Sequence, residues 1–137
     1  MMIEGYASLF GIADQMGDVV RAGAFAVSLQ RRSEKLPMLV EHERRLLAGH
    51  WCFAREDGRG LYVRGAISDD QPGASRARRM LARGIDGLSI GFVPLVAHKH
   101  ALGRVIEEIE LLEVSIVTQP MQPQARLALA RGLGRAA

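Results

Sequence analysis

Cysteine occurs once, at position 52, in a chain of 137 residues. No internal disulfide can form, and without a cysteine pair the thiolate zinc motifs are excluded, so Cys52 reads as a buried small hydrophobe. Aromatic residues are only 5% of the chain, and none is interleaved with the basic clusters at Arg31-Arg32, Arg44-Arg45 and Arg76, Arg78, Arg79 and Arg83. Single-strand nucleic-acid binding needs aromatic stacking platforms and duplex reading needs a reading element; nucleic acid is therefore an unexpected partner for a chain of net charge +3, and most of these arginines read as solvated helix faces. No apolar run approaches the roughly 18 residues of a membrane span. Phosphate loops, dinucleotide fingerprints, internal repeats and low-complexity segments are missing too. No basic segment precedes an apolar stretch at the N-terminus, so the expectation is a cytoplasmic protein without membrane contact or cofactor.

What is there suits one globular domain with a single core: 48% hydrophobic and 24% charged residues. Period-two alternation and β-branched residues predict strands over 3–10, 46–54, 60–67, 85–96 and 104–117. Pro37 blocks a helix before Met38 to His42, which reads as extended, with His42 at or near the strand end. Helical spacing predicts short helices over 22–32, over 74–83 with Gly84 as C-cap, and over 125–133. Strands outnumber helices and do not alternate with them, so the expected class is mainly β (α+β): an antiparallel barrel of about six or seven strands with short peripheral helices.

The chemistry centres on Gly87-Leu88-Ser89-Ile90-Gly91. The five residues spell a nucleophile elbow, but an elbow needs a helix directly after the serine, and here Phe92-Val93-Pro94-Leu95-Val96 follows. A hydroxyl becomes a nucleophile when an imidazole takes its proton and a third group orients that imidazole. The candidates are His42 for the base and Glu113 for the third group. Glu113 shares a strand face with Ser115, and if Leu112, Val114 and Ile116 face the core, Glu113 turns toward a surface groove. Ser115 sits among β-branched residues without flanking glycine, and Ser89 is the better nucleophile. Glu41 and Glu43 flank His42 and would favour its protonated form or replace Glu113 as its partner. His50 is a weaker base candidate. His98 and His100 place two imidazoles on one strand side, but lack further ligands for a closed metal site.

Several blocks carry a resemblance: Ile3 to Phe10, Gly17 to Phe25, Pro37-Met38-Leu39-Val40-Glu41-His42, Gly60 to Gly65, Gly84 to Phe92, and Leu112 to Pro120. In this order and spacing, over residues 3 to 127, they resemble the tailed-phage prohead (capsid maturation) proteases, similar in fold to the herpesvirus assemblins. The resemblance implies a serine endopeptidase with Ser89 as nucleophile and His42 as general base. Glu113 is the favoured third member; assemblin-like enzymes use a second histidine there, which keeps His98 and His100 as candidates. It implies an assemblin-like barrel, a protease domain over residues 1–127 and an Arg/Gly-rich tail over 128–137, flexible or processed. The implied substrates are capsid-protein or scaffold segments, and the chain itself, inside an immature procapsid in the host cytoplasm. Portal and other head proteins and a second copy of the chain are the further partners implied. The alternative is a non-catalytic capsid-assembly or scaffold-binding protein that keeps the protease fold.

Overall fold

The computed structural model describes residues 1–130. Eight strands and two helices follow in the order β1 (Met2–Leu9), β2 (Val19–Val20), α1 (Ala26–Arg31), β3 (Leu36–Val40), β4 (Glu43–Glu56), β5 (Gly60–Ile67), α2 (Ala74–Ala82), β6 (Gly87–His100), β7 (Gly103–Val117) and β8 (Leu127–Leu129). All strands join one sheet in the order β2-β7-β3-β4-β5-β1-β8, with β6 paired to β7. The sheet is mainly β in content, as expected, but it is mixed rather than antiparallel. β2 and β3 both run parallel to β7. Nor does the sheet close into a barrel; a single bridge between Gly87 and Arg126 links β6 to the segment before β8. Parallel and antiparallel strands share the same side-chain alternation, so periodicity could not have told them apart.

The C-terminal helix expected over 125–133 is absent from the described part of that range. Leu127 and Leu129 lie in β8, paired with Gly5 and Ile3 of β1. The strand overlaps the start of the stretch expected to be a tail, and residues 131–137 lie outside the described residues. The first helix is shorter than expected because Gly23 takes a left-handed turn, φ +94°, and the chain turns helical only after Phe25. Glu56 of β4 caps it, accepting the Gly23 and Phe25 amides at 2.9 and 2.8 Å. Gly84 ends α2 with φ +82°, as the sequence predicts. Ala74, Ala77 and Met80 of α2 are buried, which leaves its arginines on the outer face. Cys52 is exposed rather than buried: it is the extra residue where the β4–β5 register slips between Trp51 and Phe53, and a bulge turns a side chain out of phase.

The core packs Phe25, Met38, Trp51, Leu61, Leu88 and Ile116, each at most 2% exposed, against the inner face of the sheet. Trp51 ties this core to the central strand, donating its indole N–H to the Val114 carbonyl at 3.1 Å. β7 itself contains a bulge. Gly91 pairs with Glu113 and Phe92 with Leu111, leaving Leu112 as an extra residue and reversing the phase of the strand. Ile109 and Leu111 face the core on one side of the bulge, Val114 and Ile116 on the other. The expected aliphatic row is thus broken at its first member: Leu112 is 43% exposed. The reversal nonetheless sends Glu113 and Ser115 to the face away from the core.

Replacing Trp51 by Phe removes the donor to Val114 while keeping an aromatic ring. Urea denaturation should show a loss of about 1–3 kcal/mol; an unchanged midpoint would mean that the indole bond contributes nothing net.

Candidate active site

His42 is the second residue after β3, in a two-residue turn with Glu41. Val40 pairs with Glu43 across the turn, and both turn residues are left-handed, with φ 51° for Glu41 and 61° for His42. A two-residue hairpin with positive φ at both central positions matches the right-handed strand twist, but the usual occupants are Asn and Gly. A left-handed non-glycine residue costs about 1–3 kcal/mol and persists where its surroundings over-determine it. Here they do. Glu41 donates its amide to the Ile116 carbonyl at 2.9 Å, and its carboxylate accepts the Thr118 amide at 3.1 Å and the Thr118 hydroxyl at 3.0 Å. The amide of His42 donates to the Ser115 hydroxyl at 3.1 Å.

The imidazole lies against Glu113, with Nδ1 2.6 Å from Oε2. A carboxylate can only accept, so Nδ1 carries a proton, and in the neutral ring Nε2 is left with the lone pair. The other oxygen of Glu113 is occupied too: Oε1 accepts the Ser115 hydroxyl at 2.8 Å. The carboxyl side chain is 13% exposed and the imidazole 42%. The hydrogen bond to Glu113 raises the pKa of His42; burial opposes the shift, and the charges of Glu113 and then Glu41 add to it. Glu43 is turned away to Arg45, 3.2 Å distant.

Ser89 stands in β6 directly opposite Ser115. Directly opposed residues of an antiparallel pair share a face, with Cβ atoms about 4.5–5.5 Å apart, so Ser89 lies beside the serine that touches both His42 and Glu113. Its hydroxyl makes no hydrogen bond to His42 among the described residues, and Ser89 is 3% exposed. Ser115 is fully buried, with its hydroxyl accepting from His42 and donating to Glu113. That engagement separates the two serines: Ser115 is committed to the scaffold of the site, and Ser89 is not.

The glycines around Ser89 have a role that the motif did not announce. A Cβ on Gly91 would lie 2.1 Å from Glu113 Oε2, and one on Gly87 would lie 2.7 Å from the Val117 carbonyl and 2.8 Å from the Pro120 ring. Gly91 makes room for the carboxylate, and Gly87 for the chain returning from β7. A groove of about 480 Å³ runs past His42 and Glu113 over Pro37, Leu39, Leu47 and Leu112, with Arg44 at its border. Leu112, extruded by the bulge, is its apolar wall.

The remaining histidines stand apart. His98 and His100 pair with Val105 and Gly103 at the far end of the β6–β7 hairpin, roughly 30 Å along the strand from Ser89. His98 faces Glu107 at 3.4 Å. His50 pairs with Pro37 and Ala66 inside the sheet. Among the described residues no group of three or more His, Cys, Asp or Glu side chains is arranged to hold a metal, and no helix is long and apolar enough to cross a membrane.

The model of one protein family, the caudovirus prohead serine proteases, matches residues 1–134. The chain belongs to that family. It is 34% identical over 133 residues to the prohead protease of Enterobacteria phage HK97, covering 93% of this chain and 59% of that protein. The chain thus spans about three-fifths of the curated relative it matches. Two solved structures share the fold at lower identity. The capsid assembly protease of bacteriophage T4 superposes with a TM-score of 0.68 at 17% identity, over 87% of this chain and 82% of that one. The protease of Kaposi's sarcoma-associated herpesvirus, solved with a hexapeptide phosphonate inhibitor, gives a TM-score of 0.68 at 13% identity, over 96% and 65% of the two chains. The expected kinship in fold with prohead proteases and the herpesvirus enzymes is therefore found, without the closed barrel.

Gly91→Ala should displace the Glu113 carboxylate while sparing the sheet, because the atom it strikes is the end of a flexible side chain. NMR titration should then show the pKa of His42 falling toward the ordinary histidine value of about 6.5. An unmoved titration would mean that the carboxylate had not been resting on Gly91.

Proposed function

We propose that this prohead protease homologue is a serine endopeptidase that cleaves scaffold or capsid-protein segments, and itself, as a phage-like head matures inside the procapsid. The observation that carries the reading is the 2.6 Å contact of His42 Nδ1 with Glu113, made on the face that also bears Ser89. In the proposed reaction the Ser89 hydroxyl, which lines a cavity of about 190 Å³ distinct from the groove past His42 and Glu113, attacks the scissile carbonyl of the bound peptide. Nε2 of His42, freed by the tautomer that Glu113 imposes, takes the hydroxyl proton and gives it to the leaving amine; a water that loses its proton to the same Nε2 then cleaves the acyl-serine ester, releasing the carboxylate product and restoring the hydroxyl. Glu113 orients the ring and stabilises the imidazolium as it forms. Ser115, holding the second carboxylate oxygen, keeps Glu113 from turning away. The apolar walls Leu39, Leu47 and Leu112 would bury flanking substrate side chains.

Co-expression with the matching capsid protein tests the reading directly: the wild-type chain should shorten the capsid band. Ser89→Ala should lower the rate by about 10⁶-fold, the scale of a lost serine nucleophile, and Glu113→Gln by about 10⁴-fold, the scale of a lost orienting acid. Shortening that persists in the Ser89 variant would remove Ser89 from the mechanism. A wild-type chain that leaves the capsid protein whole would favour a scaffold-binding role instead.

The pH dependence has a defined sign. The raised pKa of His42 means that the fold gains stability from its protonated form; this gain is full below the unfolded histidine value and disappears as pH rises through the folded pKa. Catalysis runs the other way because the base must be neutral. The acid limb of kcat/KM should therefore rise with a midpoint on the alkaline side of about 6.5, and a midpoint below that value would contradict the His42–Glu113 pairing as the catalytic one.

A further inference from the structure

The turn that presents His42 is the one place among the described residues where non-glycine backbone is left-handed. Two consecutive non-glycine residues are left-handed there, and neither Glu nor His is a residue that such turns favour. Something outside the turn must hold it, and the contacts divide into two groups. The Glu41 amide on the Ile116 carbonyl and the His42 amide on the Ser115 hydroxyl are bonds that the turn's own backbone donates once it has its shape. The third contact is a side chain reaching out: both oxygens of Glu41 engage one residue, Thr118, through its amide and its hydroxyl. Thr118 directly follows Val117 at the end of β7, the strand that carries Glu113 and Ser115.

We propose that Glu41 is a positioning residue, a clamp that locks the turn to the end of β7 and so holds His42 in register with Glu113. The proposal deepens the protease reading and rests on His42 acting as the base. Glu41 acts through His42 and touches no substrate. The geometry explains why a carboxylate next to the base does not compete with Glu113 for its ring: both of its oxygens are already spent on Thr118. It also explains the sequence adjacency Glu41-His42, since a side chain leaving one left-handed residue can anchor the turn that aims the next. The charged groups around the imidazole are Glu113, Glu41 and, at the groove border, Arg44.

The test compares Glu41→Gln and Glu41→Ala in the full chain. A glutamine can accept the Thr118 amide with its carbonyl and donate to the Thr118 hydroxyl with its amide, so it keeps the clamp without the charge. Alanine keeps neither. The readout is the downfield proton of His42 Nδ1, the NMR signature of an imidazole N–H held against a carboxylate, together with kcat and KM for cleavage of a capsid-derived peptide. The glutamine variant should keep the signal and a kcat close to wild type. The alanine variant should lose the signal and about 100-fold in kcat, the scale of a catalytic group misplaced by about 1 Å, with little change in KM. Titration alone does not decide, because both variants remove the same charge. The indole N–H resonance of Trp51 reports whether each variant is folded; if the alanine variant is not, Thr118→Val, which removes only the hydroxyl anchor, should weaken the signal partially. An alanine variant with the wild-type signal and kcat would overturn the proposal, as would a glutamine variant as impaired as alanine. If the wild-type chain cleaves nothing, the protease reading fails, while the Nδ1 signal in the three proteins still decides whether Glu41 is the clamp.

Discussion

The carboxylate of Glu113 is the fixed point of the molecule's outer face. It stands mid-strand, mostly buried, with one oxygen on His42 and the other on Ser115, and each surrounding peculiarity can be traced to accommodating it. A carboxylate so far buried is tolerated only when hydrogen bonds replace the water it has lost. Two donors and a cleared space above it meet that condition: the imidazole, the serine hydroxyl and the missing side chain of Gly91. The tautomer of His42 is then a consequence of Glu113 rather than an independent property.

The constraint reaches inward as well. Val114 and Ile116 alternate with Glu113 and Ser115, so the residues that secure the core and those that build the site are neighbours along a single backbone. Trp51, bonded to the Val114 carbonyl, fixes that backbone from below. Precision at the site is therefore inherited from core packing, the condition under which a hydrogen-bonded constellation stays close to its working geometry.

The six longer strands were legible from alternation and turn residues, and His42, Ser89 and Glu113 were legible as chemistry-bearing types in separate segments. The alternation did not reveal pairing. Parallel and antiparallel neighbours bury the same period of residues, so the mixed, open sheet could not be told from an antiparallel barrel. Bulges were equally hidden, because an extra residue such as Leu112 or Cys52 looks like any other strand residue until its partner strand is known. β8 was misread as a helix, since Leu127, Leu129 and Leu133 allow a helical face as readily as an extended one. At the site, the glycines of the serine motif suggested space for a substrate backbone; only the register of β6 on β7 showed that Gly91 makes space for Glu113. The turn at Glu41 and His42 gave no signal at all, because its shape comes from Ile116, Ser115 and Thr118, some 75 positions away.

The bulge at Leu112 also divides the long β6–β7 hairpin into two parts that can change separately. Below it the strand pair belongs to the site and its register is pinned by Glu113, Ser115 and Ser89; above it the pair runs out to the exposed tip at His100 to Gly103. A slip in register normally propagates along a ladder, yet a bulge already absorbs a change of phase. The outer arm carries two further shifts of its own, at Leu95 and at Glu107, so an irregularity there is absorbed locally and leaves the pairing of Ser89 with Ser115 in place.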